Sequence, residues 1–236
     1  SDILPELCRF YDVDLVVDQD QGTDDWALAN CDIVTPDQFD RRAGAGFYQR
    51  IVYQFGNSHF HTHMPDLLMR HPGMVVLHDL YLSGLHDWRD KITPGVFLSA
   101  LIETHGYEAI RAAVRDGLGA AIRRYPAHGP IVDNAVGLVV HSQSNLAYLE
   151  RAGVDPAFVR RVPLPRGRPT MSREGARALL GLEPDEVMIC SFGGVAPEKL
   201  NHELLAAFAR SSALRSAPVK LVFVGTAGGE YGKELT

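Results

Sequence analysis

Short apolar runs alternate with amphipathic segments along this chain. The β-rich runs are VDLVVD (13–18), CDIVTP (31–36), RIVYQFG (50–56), MVVLHD (74–79), VGLVVHS (136–142), FVRRVPLP (158–165), EVMICSFG (186–193) and VKLVFVG (219–225). Several are near-continuous Val, Ile and Leu, the pattern of parallel strands covered on both faces. Helices are predicted between them, at 62–70, 94–104, 107–118, 143–152, 173–181 and 200–212. In 109–118 and 201–211 the apolar residues recur at steps of three and four, which gives a helix one apolar face. Strands alternating with helices predict an α/β protein built on doubly wound parallel sheets.

The stretch RVPLPRGRPTMS (161–172) interrupts this rhythm with three prolines, a glycine and three arginines. It follows a strand and precedes a new helix, so a domain boundary is expected near 166. That division gives a first domain over 1–165 and the beginning of a second over 166–236. The chain opens in mid-pattern, with ILPELCRFYDVDLVV reading as a helix end running into a strand. It closes on GGEYGKELT, which reads as a helix start, so both ends are expected to be cuts through a longer protein.

Composition narrows the partners. Of 236 residues, 46% are apolar and 22% charged, with a net charge of −6. An acidic chain of this kind is not expected to hold nucleic acid over a broad basic face. No apolar run reaches the length of a membrane span, and no secretory signal pattern opens the chain. Cys8, Cys31 and Cys190 are odd in number and far apart in sequence, which suggests a reducing compartment and a cytoplasmic location.

Histidines draw attention next. FGNSHFHTHMP (55–65) spaces His59, His61 and His63 two residues apart. On a strand all three would share a face and could grip a metal. A turn at GNS followed by a helix fits better, with Ser58 as its cap and Pro65 in the first turns. At helical spacing His59 and His63 share a face and His61 points elsewhere, so no metal site is expected. His78 ends a strand and Asp79 follows it; in open parallel sheets, ligands bind beyond the carboxyl ends of the strands. His141 and Ser142 stand at another strand end, where Ser142 can equally cap the helix from Gln143.

In VMICSFGGVAPEKLNHELLAAF a buried-looking strand runs into Gly193 and Gly194, and a helix starts near Lys199. Glycines allow backbone amides to approach an anion, and a helix N-terminus carries partial positive charge. With the Lys199 ammonium, these parts could cradle a diphosphate. Neither the Walker spacing nor G-x-G-x-x-G is present. A second glycine turn begins at Gly225 and is expected to flank the same crevice.

These blocks resemble bacterial glycosyltransferases of family 4, on YQFGNSHFHTHMPDLLMRHPGMVVLHDLYLSGL (53–85), SFGGVAPEKLNHELLAAF (191–208) and LVFVGTAGGEYG (221–232). The resemblance implies the GT-B fold, two Rossmann-like domains facing each other across a cleft, here a Rossmann-like first domain and the first part of a second. It implies retaining transfer of a sugar from a nucleotide-diphosphate donor to a hydroxyl of a sugar, polysaccharide or lipid-linked acceptor, with no cofactor. Lys199 matches the lysine that contacts the donor diphosphate, beside Gly193, Gly194 and Gly225. His78 matches a histidine near the transferring sugar, with Asp79 beside it. Gly56, Asn57, Ser58, His141 and Ser142 would line the cleft. An arginine often stands five residues before the lysine; here that residue is Gly194. The acceptor-side glycine loop would precede Ser1 and the donor-binding glutamate pair would follow Thr236, so the chain alone is expected to be inactive. Two rival readings are a metal-dependent hydrolase using His59, His63, His78 and Asp79, and a non-catalytic α/β binding module.

Overall fold

The computed structural model describes residues 3–19, 24–164, 169–227 and 229–235. The chain divides into two compact units, 1–167 and 168–236. The boundary expected near 166 lies outside the described residues.

In the first unit, α1 (Leu4–Leu7), β1 (Asp14–Val16), α2 (Asp25–Asn30), β2 (Asp32–Val34) and α3 (Pro36–Gly44) come first. They are followed by β3 (Val52–Phe55), α4 (Met64–Arg70), β4 (Met74–Leu77), α5 (Ser83–Asp90), α6 (Val96–Asp116), α7 (Leu118–Arg124), α8 (Gly129–Val132), β5 (Gly137–Val140), α9 (Gln143–Arg151) and β6 (Val159–Arg161). The second unit holds α10 (Arg173–Leu179), β7 (Val187–Phe192), α11 (Asn201–Arg210), α12 (Ser212–Ser216), β8 (Val219–Val224) and α13 (Gly229–Glu234). Every strand pairing is parallel: β1 with β2, the four-stranded order β3-β4-β5-β6, and β7 with β8. The protein is therefore α/β with parallel sheets.

The main core lies on one face of the four-stranded sheet. Tyr53, Phe55, Val75, Leu77, Leu138 and Val140 alternate along the strands and bury against Leu67 and Leu68 of α4, Ile131 of α8 and Leu149 of α9. Burying side chains of this size stabilises by roughly 1.5–3 kcal/mol each, an upper estimate because the unfolded chain is itself partly collapsed. The other face is not covered in the way the Val-rich strands suggest. On β3, Val52 is 55% exposed and Gln54 is exposed, so this strand has a wet face among the described residues.

The helices expected at 94–104 and 107–118 are joined as α6 but broken at Gly106, which adopts φ 68° and ψ −169°. That break lets α6 fold over α7 and pack Phe97, Leu101, Ala109, Ala113 and Ala121 into a second, smaller cluster. The strands β7 and β8 carry no fully buried residue. In the second unit, Val195, Asn201 and Gly232 are the buried residues among those described.

Candidate functional site

Three parallel strands end level with one another. Phe55 pairs with Leu77, and Leu77 with Val140, so the turns after β3, β4 and β5 lie side by side. Those turns carry Gly56 and Asn57, His78 and Asp79, and His141 and Ser142. Side chains just past strand ends are not constrained by the pleat and can converge on a ligand. All six of these residues, expected from sequence, therefore stand at one sheet edge.

Hydrogen bonds tie the edge together. The backbone N–H of Asn57 donates to Asp79 Oδ2 at 3.1 Å, which fixes the carboxylate between the first two turns. The Asn57 side-chain carbonyl accepts from the Leu85 N–H of α5 at 3.0 Å. His78 Nε2 lies 2.7 Å from Gln54 Oε1. An amide oxygen only accepts, so Nε2 carries the proton and Nδ1 is left as an acceptor. His141 Nδ1 donates to the Val162 carbonyl at 2.8 Å, leaving a buried Nε2 without a partner. The His78 and His141 rings lie 5.0 Å apart between centroids.

His61 joins this edge. A Cβ built on Gly56 would lie 2.8 Å from His61 Nε2 and 3.6 Å from Asp79 Oδ2, so the missing side chain is what admits the imidazole. Burial lowers the His61 pKa, with His63, His78 and His59 adding to the shift and Asp79 opposing it. Burial, then His141, lowers that of His78 against the same carboxylate. Both imidazoles are neutral near neutral pH, acting as donors and acceptors rather than charges.

This differs from the histidine geometry expected from sequence. Residues 59–61 form a short 3-10 helix, with about three residues per turn, before α4 begins at Met64. Ser58 precedes it but its side chain makes no cap hydrogen bond. His59 turns toward Trp88, with ring centroids 5.3 Å apart, and His63 turns toward Asp18 at 3.4 Å. His61, expected to point elsewhere, is the one whose Nε2 packs over Gly56, on the side where Asp79 stands. The set His59, His63, His78 and Asp79 is thus dispersed, and among the described residues no three His, Cys, Asp or Glu side chains converge to hold a metal. Ser142 accepts from the Asn145 N–H at 3.1 Å, so it caps α9. Gln54 was not among the expected residues, because it lies inside the strand run RIVYQFG rather than at its end.

A cavity of about 210 Å³ opens between β1 and β3. Gln54, His63 and Asp14 all line it, and Asp14 accepts from Arg42 at 2.6 Å and from the Tyr48 hydroxyl at 2.7 Å.

In the second unit, the two glycine turns are packed directly together. A Cβ on Gly225 would lie 2.0 Å from the Gly193 carbonyl oxygen, so no side chain fits there. Gly193, at φ 123°, donates to the Val224 carbonyl at 3.0 Å, and Val195 donates to Thr226 at 2.9 Å. Among the described residues, Gly194 keeps the turn's unspent N–H. Lys199 closes a 3-10 turn, and its Cε lies 4.0 Å from where a Gly193 Cβ would sit. The helix that follows begins at Asn201, whose side chain accepts from the Ala196 N–H at 3.1 Å. The His202 N–H donates to the Tyr231 hydroxyl at 3.2 Å. The amide cradle expected here is therefore narrower than its glycine content suggests, because neighbouring protein groups occupy much of it.

No helix among the described residues is long and apolar enough to cross a membrane. No protein-family model matches the chain, and no curated protein matches it.

Proposed function

We propose that this chain carries the acceptor-side and diphosphate-contacting elements of a retaining glycosyltransferase of the family 4 type, with GT-B architecture built from Rossmann-like units. The observation that carries this reading is the level row of strand ends placing Asn57, His78, Asp79 and His141 on one polar edge. In this reading a sugar moves from a nucleotide diphosphate to a hydroxyl of a sugar, polysaccharide or lipid-linked acceptor. Negative charge grows on the departing diphosphate, and the Lys199 ammonium with the Gly194 N–H meets it. Preorganised donors of this kind each contribute about 3 kcal/mol to the transition state.

His78 holds a neutral ring with Nδ1 open as an acceptor, suited to orienting a sugar hydroxyl. Asp79, held by the Asn57 N–H, offers a carboxyl acceptor beside it. The cavity between β1 and β3 stands one residue from this edge through Gln54, which makes it the proposed acceptor pocket.

Titration of the chain with uridine and guanosine diphosphates tests the reading. Binding weakened roughly tenfold by Lys199→Ala supports it, the loss expected for one charge-assisted contact. Undetectable binding at millimolar nucleotide, or an affinity untouched by the substitution, overturns it.

A further inference from the structure

A separate cluster of arginines lies on the helices far along the first unit. The second half of α6 and the end of α7 enclose an open cavity of about 360 Å³, lined by Glu108, Arg111, Ala112, Arg115, Arg124 and Tyr125. Arg111 and Arg115 are four residues apart and share one face of α6. The chain reverses at Gly117, and α7 brings Arg124 to the same space.

The charges are unbalanced. Three guanidinium groups meet two carboxylates, Glu108 in the lining and Asp116 on Arg115, which leaves an excess positive charge in a chain whose net charge is −6. Arg115 is held by Asp116 through two parallel bonds, both 2.7 Å. Arg124 stands over the Tyr125 ring at 5.3 Å from its centroid. Arg111 makes no hydrogen bond or ion pair among the described residues. Gathering like charges costs repulsion unless an anion relieves it. The cavity is also of a size with small-molecule sites, roughly 300–1,000 Å³.

We propose that this cavity binds a phosphate ester or diphosphate group, with Arg111 and Arg124 as its direct contacts and Arg115 as a fixed neighbouring charge. Arginine in place of lysine supports phosphate chemistry, because a planar guanidinium offers paired N–H groups that match two phosphate oxygens at once. Tyr125 supplies a hydroxyl and a ring wall. Tyr107, Val114 and Leu118, all exposed on the same two helices, allow the phosphate to belong to a lipid headgroup as well as to a free metabolite.

The test uses the whole chain with Lys199→Ala already in place, so that the diphosphate contact proposed in the second unit does not contribute. Failure here thus leaves that reading untouched. Inorganic pyrophosphate is titrated at low ionic strength into this protein and into one that also carries Arg111→Gln and Arg124→Gln, two exposed positions whose fold is checked by circular dichroism. In parallel, both are sedimented with phosphatidylcholine vesicles with and without phosphatidic acid. Pyrophosphate binding that falls tenfold or more in the double variant, and that weakens with salt, supports the site with a soluble ligand. Arginine-dependent binding to phosphatidic acid vesicles alone supports it with a lipid headgroup. Absence of both, or binding unchanged by the double variant, overturns it.

Discussion

Gln54 holds His78: the amide oxygen of one lies 2.7 Å from Nε2 of the other, across the pairing of β3 with β4. The contact fixes a tautomer as well as a position, and it leaves Nδ1 open for a ligand hydroxyl. The neighbouring His141 adds to the lowering of the His78 pKa by its own charge when protonated. Two outcomes follow for nitrogen-15 NMR of the imidazoles. Gln54→Ala is expected to convert a single Nε2–H form of His78 into a mixture of tautomers. His141→Asn is expected to raise the His78 pKa, because the like charge is gone while Asp79 stays. A His78 spectrum insensitive to both substitutions would refute the arrangement.

Gly56 and His61 offer a cleaner separation of site from scaffold. An alanine Cβ at 56 would meet the end of the imidazole, not backbone, so His61 can rotate away. Gly56→Ala is expected to cost about 1 kcal/mol, the low end for overpacking. Out of its buried position His61 should titrate at a higher pH than in the parent protein, moving toward the ordinary histidine value. Denaturant unfolding measures the first quantity and proton NMR the second.

Much of this architecture was legible in the hydrophobic pattern. Each observed strand falls within a run picked out by β-branched residues, because parallel pairing leaves a dense apolar signal. Six helices fall outside the predicted ranges: α2, α3, α5, α7, α8 and α12. The start of α3 is written as a capping box, Thr35 with Gln38, but Thr35-Pro36 closes the run CDIVTP and so reads as the tail of a strand. The histidines misled for a different reason. Spacing decides which side chains share a face only once the helix type is known, and a 3-10 turn rotates each residue further than an α turn. Gln54 escaped because candidate residues were sought past the strand ends, whereas it stands within β3 on its exposed face.

Cys8 and Cys31 lie far apart in sequence but their sulfurs are 3.7 Å apart, with both thiols free. Burial, with Cys8 beside it, raises the Cys31 thiol pKa, so little thiolate is present at neutral pH and reaction is slow. Treatment with diamide, which takes up the two electrons and two protons, is expected to join these sulfurs and leave Cys190 as the single alkylatable thiol. Peptide mass spectrometry reads the crosslink, and Cys31→Ser should abolish it. A Cys190-containing crosslink in its place would count against the packing of α1 on the turn before β2.

His86 and His128 are buried, at 0% and 5% exposure, and neither ring nitrogen of either makes a hydrogen bond. Burial pushes the His86 pKa down to about 4, with Arg89 adding to the shift and a backbone contact with Ala127, short of hydrogen-bond geometry, opposing it. Burial also pushes His128 down to about 4, with His105 adding. His105 faces His128 across 6.2 Å and accepts from the Ala127 N–H, while Tyr148 packs edge-on to His128. The folded values lie below the unfolded value, so as pH falls through about 6.5 the unfolded chain takes up protons that the folded chain refuses. Stability is then lost progressively down to about pH 4, on the order of 3 kcal/mol for each group at that limit. Unfolding midpoints measured in urea between pH 7.5 and pH 4 should show this slope. Replacing one of the two by an apolar residue of similar size, as in His86→Leu, should make the slope shallower, with the smaller burial shifts of His61, His63, His78 and His105 keeping part of it, and should leave the stability at pH 7.5 equal or higher, since two unpaired buried nitrogens are removed. A pH profile identical in His86→Leu and the parent would show that these imidazoles do not govern the acid limit of the fold.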